Sequence, residues 1–210
     1  MMVSNNYTPL SRALDQVGVI WPEGDVYAQF EYEDRLVFNE DSGQPTSVDV
    51  VFFDHQHQPR IFIESKFVEQ KFGGCSVFEN GDCDGHNPIN NLDSCYLHFI
   101  GRRYWKLLEK YGFLDGSIAQ DSSCALINHY QFFREILMAL ELNGHFVLMH
   151  DERSPVFANN NGLEKRGLFH FLMSITPKRI HERIKLISIQ QVINQVEKQG
   201  DSTWLLEFKT

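Results

Sequence analysis

Residues 47–67 read SVDVVFFDHQHQPRIFIESKF. Two runs rich in β-branched and aromatic residues, 47–54 (SVDVVFFD) and 60–67 (RIFIESKF), flank the polar linker His55 to Pro59, which is the pattern of an antiparallel hairpin. Three ionisable residues interrupt the apolar runs: Asp49 in the first, Glu64 and Lys66 in the second. A charge inside such a run is costly to bury without a purpose. Side chains on a strand alternate faces, so Glu64 and Lys66 share a face with Phe62, while Val48, Val50 and Phe52 turn away from Asp49. The numbers of opposed residues in an antiparallel pair sum to a constant. A turn centred between Gln56 and His57 sets Asp49 opposite Glu64; one centred between His57 and Gln58 sets it opposite Lys66. Either register gathers all three on one face, with opposed side chains about 5 Å apart.

At that spacing two carboxylates can share a hard divalent cation, with the Ser65 carbonyl as a further oxygen ligand and the Lys66 ammonium beside it. This is the minimum set for metal-assisted phosphodiester hydrolysis. The cation polarises the phosphate and acidifies water, and the lysine orients that water or stabilises charge on the phosphoryl oxygens. The bland alternative is a buried carboxylate–lysine ion pair.

Outward from the hairpin, the sequence predicts alternating elements. Leu10, Leu14 and Val17 suggest a short helix within 5–19, with Thr8 or Ser11 as cap, ended at Trp21-Pro22-Glu23-Gly24. VYAQFEYEDRLVF (26–38) reads as a strand or two, and NEDSGQP (39–45) as a turn. Beyond the hairpin lie a Gly/Asp/Asn-rich loop (73–91) and two helices, about 92–111 and 124–142, the second ended by Asn143-Gly144. HFVLMH (145–150), GLFHFLMSI (167–175) and IKLISI (184–189) read as strands, with 151–165 an irregular polar loop between the first two. A last helix follows at 190–199, then an edge strand at 204–208. The order describes an α/β fold, a mixed central β-sheet flanked by helices.

The chain of 210 residues, 42% hydrophobic and 13% aromatic, suits one domain with a sizeable core. No apolar run approaches a membrane span, and MMVSNNYTPLSR has no signal-peptide pattern, so a soluble cytoplasmic protein is expected. The net charge of -9 argues against a generally basic nucleic-acid surface. The basic residues nonetheless cluster, as Arg102, Arg103, Lys106 and Lys110 on one predicted helix and as Lys165, Arg166, Lys178, Arg179, Arg183 and Lys185 late in the chain. Such groups serve either as phosphate stripes or as solvated faces.

Asp49, fourteen intervening residues and then Glu64-Ser65-Lys66 at the end of an apolar strand resemble the PD-(D/E)XK, or restriction-endonuclease-like, nuclease superfamily. Ser47-Val48-Asp49 stands where that pattern has Pro-Asp. The resemblance spans about 26–190 of a single domain. It implies a restriction-endonuclease-like core, Mg2+ or Mn2+ on Asp49 and Glu64, a catalytic Lys66, DNA as substrate, and a homodimer where both strands are cut. An upstream acid often joins such sites; here Glu31 or Glu33 is the candidate, and Glu69 or Gln70 could approach from the strand exit. Tyr130, Gln131 and Arg134 in NHYQFFREILMA resemble the Gln- and Tyr-bearing helix that holds the DNA backbone in exonuclease-like branches. In some branches four cysteines brace the nuclease domain.

Cys75, Cys83, Cys95 and Cys124 fall within one quarter of the chain and could close a Zn2+ or iron-sulfur site, with His86 or His98 as substitute ligands, although none of the spacings is the short C-x2-C type. Buried structural thiols are the alternative. A metal-dependent DNA nuclease of restriction, defence or repair is the expectation. The competing one is a non-catalytic nucleic-acid or partner-binding module with a cysteine-bound structural metal.

Overall fold

A computed structural model describes residues 7–69, 71–154, 156–157, 159–161 and 164–199. Helix α1 (Thr8–Asp15) leads into β1 (Tyr27–Glu33) and the short α2 (Arg35–Phe38); β2 (Ser47–Phe53) and β3 (Pro59–Lys66) follow. A run of short helices comes next: α3 (Ser76–Glu79), α4 (Tyr96–Phe99), α5 (Tyr104–Lys110) and α6 (Ser117–Gln120), before the long α7 (Leu126–Glu141). The chain then forms β4 (His145–His150), the paired β5 (Asn159–Asn161) and β6 (Glu164–Arg166), α8 (Leu168–Ser174), β7 (Ile184–Ser188) and α9 (Ile189–Lys198).

The central sheet has five strands in the order β1-β2-β3-β4-β7. The first three are antiparallel neighbours, and β4 and β7 add in parallel beside β3, so the sheet is mixed as expected. Alternation sorts its residues between two cores. Phe62, Phe146 and Leu148 pack with α5, α7 and α8; Ile61, Ile63, Val147 and Ile187 pack with α1 and α9. Phe62, Glu64 and Lys66 therefore face α7.

The hairpin turn follows from Asp54. Its carboxylate accepts the N–H groups of Gln56 and Gln58, both at 2.9 Å, and takes Arg60 Nε at 2.7 Å, while His57 adopts φ 59° at the tip. The pairs Val50↔Ile63, Val51↔Phe62 and Phe52↔Ile61 fix the first of the two registers, after which a bulge absorbs one residue before Phe53↔Pro59. Asn143 ends α7 in the left-handed region (φ 58°), and the Gly144 N–H returns to the Ala139 carbonyl at 2.7 Å, as its sequence predicts.

Several expectations are corrected. Residues 35–38 are helical because Asp34 caps the N–H groups of Leu36 and Val37 at 2.8 and 3.1 Å. The helix expected over 92–111 breaks into a 3-10 turn, α4 and α5, with Gly101 at φ 83° between the last two. GLFHFLMSI is α8 and not a strand: the carbonyls of Val156 and Phe157 accept the N–H groups of Leu168 and Phe169 at 2.8 and 3.1 Å, which satisfies the helix start. Neither Thr8 nor Ser11 caps α1; its N-cap is Tyr7, without a side-chain bond. The polar loop expected at 151–165 contains β5 and the start of β6. The strand expected at 204–208 lies outside the described residues.

Candidate active site

The backbone ladder between β2 and β3 is last paired at Val50↔Ile63, so continuing the register sets Asp49 opposite Glu64. There a side chain replaces the ladder, as Asp49 Oδ2 accepts the Ser65 N–H at 2.8 Å. Beyond, β3 remains paired with β4 through Glu64↔Leu148 and Lys66↔His150. The two acids thus stand where the hairpin opens, at the C-terminal ends of the parallel strands, the usual position for a ligand in such sheets.

Glu64 is 2% exposed and Lys66 7%, and Lys66 Nζ lies 2.8 Å from Glu64 Oε1. Burial raises the Glu64 pKa against the opposing pull of Lys66. For Lys66, burial favours the neutral amine, but the charge and hydrogen bond of Glu64 outweigh it and the pKa is raised, so the side chain stays an ammonium.

Helix α7 supplies the opposite wall. At His129 (φ -133°, ψ 29°) its dihedrals leave the helical region, and segment 73–75 takes over the local hydrogen bonds. The Ile127 carbonyl accepts the Cys75 N–H at 3.3 Å, and the Gln131 N–H donates to the Gly73 carbonyl at 3.2 Å. The Gln131 side chain then reaches Glu64, with Nε2 donating to Oε1 at 2.7 Å. One turn later comes Glu135, 0% exposed, with neither carboxylate oxygen hydrogen-bonded. Burial first, and the charge of Glu64 second, raise its pKa well above the ordinary range. Sequence reasoning missed Glu135, although the signal that singled out Asp49 was present: an acid inside an apolar run, FFREILMAL, four residues after Gln131.

Tyr130 and Arg134 line the same cleft, of about 530 Å³, with Glu31, Asp49, Glu64, Gln131 and Glu135. Arg134 is engaged with a second acid that the sequence did not reveal. Its Nη2 lies 3.0 Å from Glu40 Oε1, its Nε donates to Thr46 Oγ1 at 2.7 Å, and its guanidinium carbon sits 4.7 Å from the Tyr130 ring centroid. Glu40, 2% exposed, also accepts the Thr46 N–H at 2.6 Å and the Tyr104 hydroxyl.

Of the two upstream acids, Glu31 lines the cleft. The pairs Phe30↔Val50 and Tyr32↔Val48 place it opposite Asp49, yet it adopts φ 49° and accepts the Ser47 hydroxyl at 3.2 Å. Glu69 folds back onto the strand exit, accepting the N–H groups of Phe67 and Val68 at 2.9 and 3.0 Å; Gln70 lies outside the described residues. Of the basic group at 102–110, open to reading as a phosphate stripe or a solvated face, only Lys106 and Lys110 lie within α5. Arg102 precedes α5 and is buried, bonded to the carbonyls of Asn39 and Ser42 and to Asp41, and Lys110 pairs with Glu141.

Asp49, Glu64 and Glu135 bring oxygen donors of the kind a hard cation takes to the cleft, but among the described residues no three His, Cys, Asp or Glu side chains are grouped closely enough to hold a metal ion. A mixed five-stranded sheet with flanking helices and an acidic cleft at the strand ends is consistent with a restriction-endonuclease-like domain. The chain belongs to the family described as restriction endonuclease associating with ARP (REase-ARP), whose model matches residues 1–210. No curated protein and no solved structure matches it.

Proposed function

We propose that the chain is a nuclease of the PD-(D/E)XK type that hydrolyses DNA phosphodiester bonds with Mg2+ or Mn2+. The observation that carries this reading is that Asp49, bonded to the Ser65 N–H, and Glu64 both line the cleft at the open end of the hairpin, with Lys66 Nζ 2.8 Å from Glu64 Oε1. Asp49, Glu64 and the Ser65 carbonyl hold the cation, with Glu31 as the upstream acid. A divalent cation there supplies Lewis acidity and charge neutralisation at the phosphate. Lys66 keeps a donor beside the acids, where it orients the attacking water and stabilises charge on the phosphoryl oxygens. Gln131 holds Glu64 in place, while Tyr130 and Arg134 form the wall against which the DNA backbone lies. A cytoplasmic role in restriction, defence or repair, with dimers for double-strand cutting, belongs to the same proposal.

The test is cleavage of supercoiled plasmid and of a labelled single strand with Mg2+, Mn2+ or EDTA, beside Lys66→Ala. Cation-dependent cutting that falls by about 10²-fold or more in the variant is expected. A folded protein that binds DNA but cuts under none of these conditions would instead be a non-catalytic module.

A further inference from the structure

Two basic groups that lie far apart in the sequence meet on one surface at α5. The buried face of that helix carries Tyr104, Trp105, Leu107 and Leu108. Arg103 at its N-cap, Lys106 and Lys110 recur at intervals of three and four, so they share an outward face. The 3-10 helix Lys178–Arg183, between α8 and β7, meets the far end of this stripe. There Arg179 donates from Nη2 to the Lys110 carbonyl at 3.1 Å and from Nε to the Tyr111 carbonyl at 3.3 Å. A Cβ on Gly112, at φ 75°, would stand 2.5 Å from Arg179 Nη2, so the seat of the guanidinium depends on that glycine. Arg183 lies near the Tyr111 hydroxyl, with its Nε donating to the Gly144 carbonyl at 3.0 Å.

These cations are poorly neutralised. Among the described residues Lys110 alone of the six has an ion-pair partner, Glu141. In that pair the acid lies beneath and the ammonium faces water: the Glu141 side chain is 15% exposed and that of Lys110 55%. Glu141 also takes the Tyr111 hydroxyl at 2.7 Å, and Arg103 lies within electrostatic reach of it. Two further acids border the surface, Glu109 on α5 and Asp115 beside Gly112, and they leave it positive. Six of the chain's 19 basic residues thus gather in one place on a protein of net charge -9. Like charges at helical spacing repel, and an anionic partner relieves that repulsion.

The stripe starts at the cleft. Arg102 and Tyr104, on either side of Arg103, both line it. From Arg103 to Lys110 the helix advances about 10 Å, roughly three nucleotide steps along one DNA strand.

We propose that Arg103, Lys106, Lys110, Lys178, Arg179 and Arg183 form a track for the phosphate backbone of DNA, leading from the acidic cleft along α5. The proposal rests on the reading of the cleft as a nuclease site, which makes DNA the polyanion. Within the cleft Glu31, Asp49 and Glu64 repel phosphates, while Arg134 and Arg102 are committed to Glu40 and Asp41. Attraction to the backbone therefore comes from outside it, and the track holds DNA so that one end of the bound segment reaches the acids.

The experiment is binding of a labelled duplex and a labelled single strand, each longer than the track, by full-length protein in EDTA, read as fluorescence anisotropy across a salt series. Lys106→Glu and Lys178→Glu change exposed side chains and should leave the fold intact. Each should weaken binding by about 10-fold and lower the slope of log affinity against log salt by about 1. Loss on the duplex, the single strand or both supports the track and identifies the form it carries. Glu109→Lys should tighten binding. Lys198→Glu, at the exposed end of α9 on the other face of the sheet, alters net charge equally and should leave affinity unchanged. The proposal is overturned if Lys106→Glu and Lys178→Glu bind as the parent does, if Lys198→Glu weakens binding as much as they do, or if the parent binds neither DNA at low salt. Binding in EDTA is read without cleavage. Failure here with Lys66-dependent cutting intact would remove the track alone, whereas track-dependent binding without cutting under any condition would remove the catalytic reading alone.

Discussion

Gln131 clasps Glu64 across the cleft, its Nε2 donating to Glu64 Oε1 at 2.7 Å while its own Oε1 accepts the Gly73 N–H at 3.3 Å. Chemistry fixes the amide orientation, since the carboxylate only accepts and the backbone N–H only donates. Gln131→Ala should lower cation-dependent cleavage by about 10- to 100-fold, the usual effect of removing a group that orients a ligand. Steady-state cleavage at varied Mg2+ measures it, and wild-type kinetics would mean that Lys66 alone holds Glu64.

Glu135 should make stability depend on pH when divalent cations are chelated. Its pKa lies well above the ordinary 4.5 because of burial and then the Glu64 charge. A group raised on folding contributes stability that is full below the unfolded pKa and is lost as pH rises through the folded one. The melting temperature should therefore fall as pH climbs above about 4.5, and Glu135→Gln should flatten that fall and gain about 1–3 kcal/mol near neutrality. Thermal melts in EDTA across the range decide it; equal slopes in both proteins would refute the assignment.

Glu40 joins the residue before β2, α5 and α7 through Thr46, Tyr104 and Arg134. Glu40→Ala leaves the Arg134 charge in a site where that side chain is 17% exposed, and should cost about 3–5 kcal/mol in urea unfolding. Replacing Glu40 and Arg134 together with Met should recover much of the loss.

Gly144 follows α7 where the chain passes over β3. A Cβ there would meet the Phe62 ring and stand 2.9 Å from the Arg60 carbonyl. Gly144→Ala should destabilise by about 1–3 kcal/mol through overpacking, read as a lower urea midpoint with an unchanged slope.

The hairpin, its charged face, β4, β7, α7 and α9 were legible because each rests on a local pattern of alternation, helical spacing or a Gly stop. GLFHFLMSI reads as a strand from sequence because a mostly apolar run, broken only by His170 and Ser174, has no clear period, and the carbonyls that satisfy its helix start come from Val156 and Phe157. Residues 35–38 failed because a single Asp34 cap outweighs the alternation before it. In the site, Asp49, Glu64 and Lys66 were visible as charges in apolar strands, whereas Glu40 gave no such sign: it lies in a polar stretch and is buried only by its tertiary partners. That Glu31 lines the cleft depends on the register of β1, which sets it opposite Asp49 and which the sequence does not show.

The separation of partners along the chain also implies an order of assembly. Asp49 and Glu64 meet through a hairpin closed by a short turn, whereas β3 finds β4 only by bringing Ile61 to His145, across the whole run of short helices and α7. Short loops close faster and at lower entropic cost than long ones. The acidic pair is thus gathered while still in water, and its dehydration is deferred until α7 docks with Gln131 and Glu135 on its inner face. The electrostatic penalty of the cleft therefore falls on the docking of α7, and ions that neutralise the acids should speed that docking as well as stabilise its product, read as a faster refolding phase in their presence.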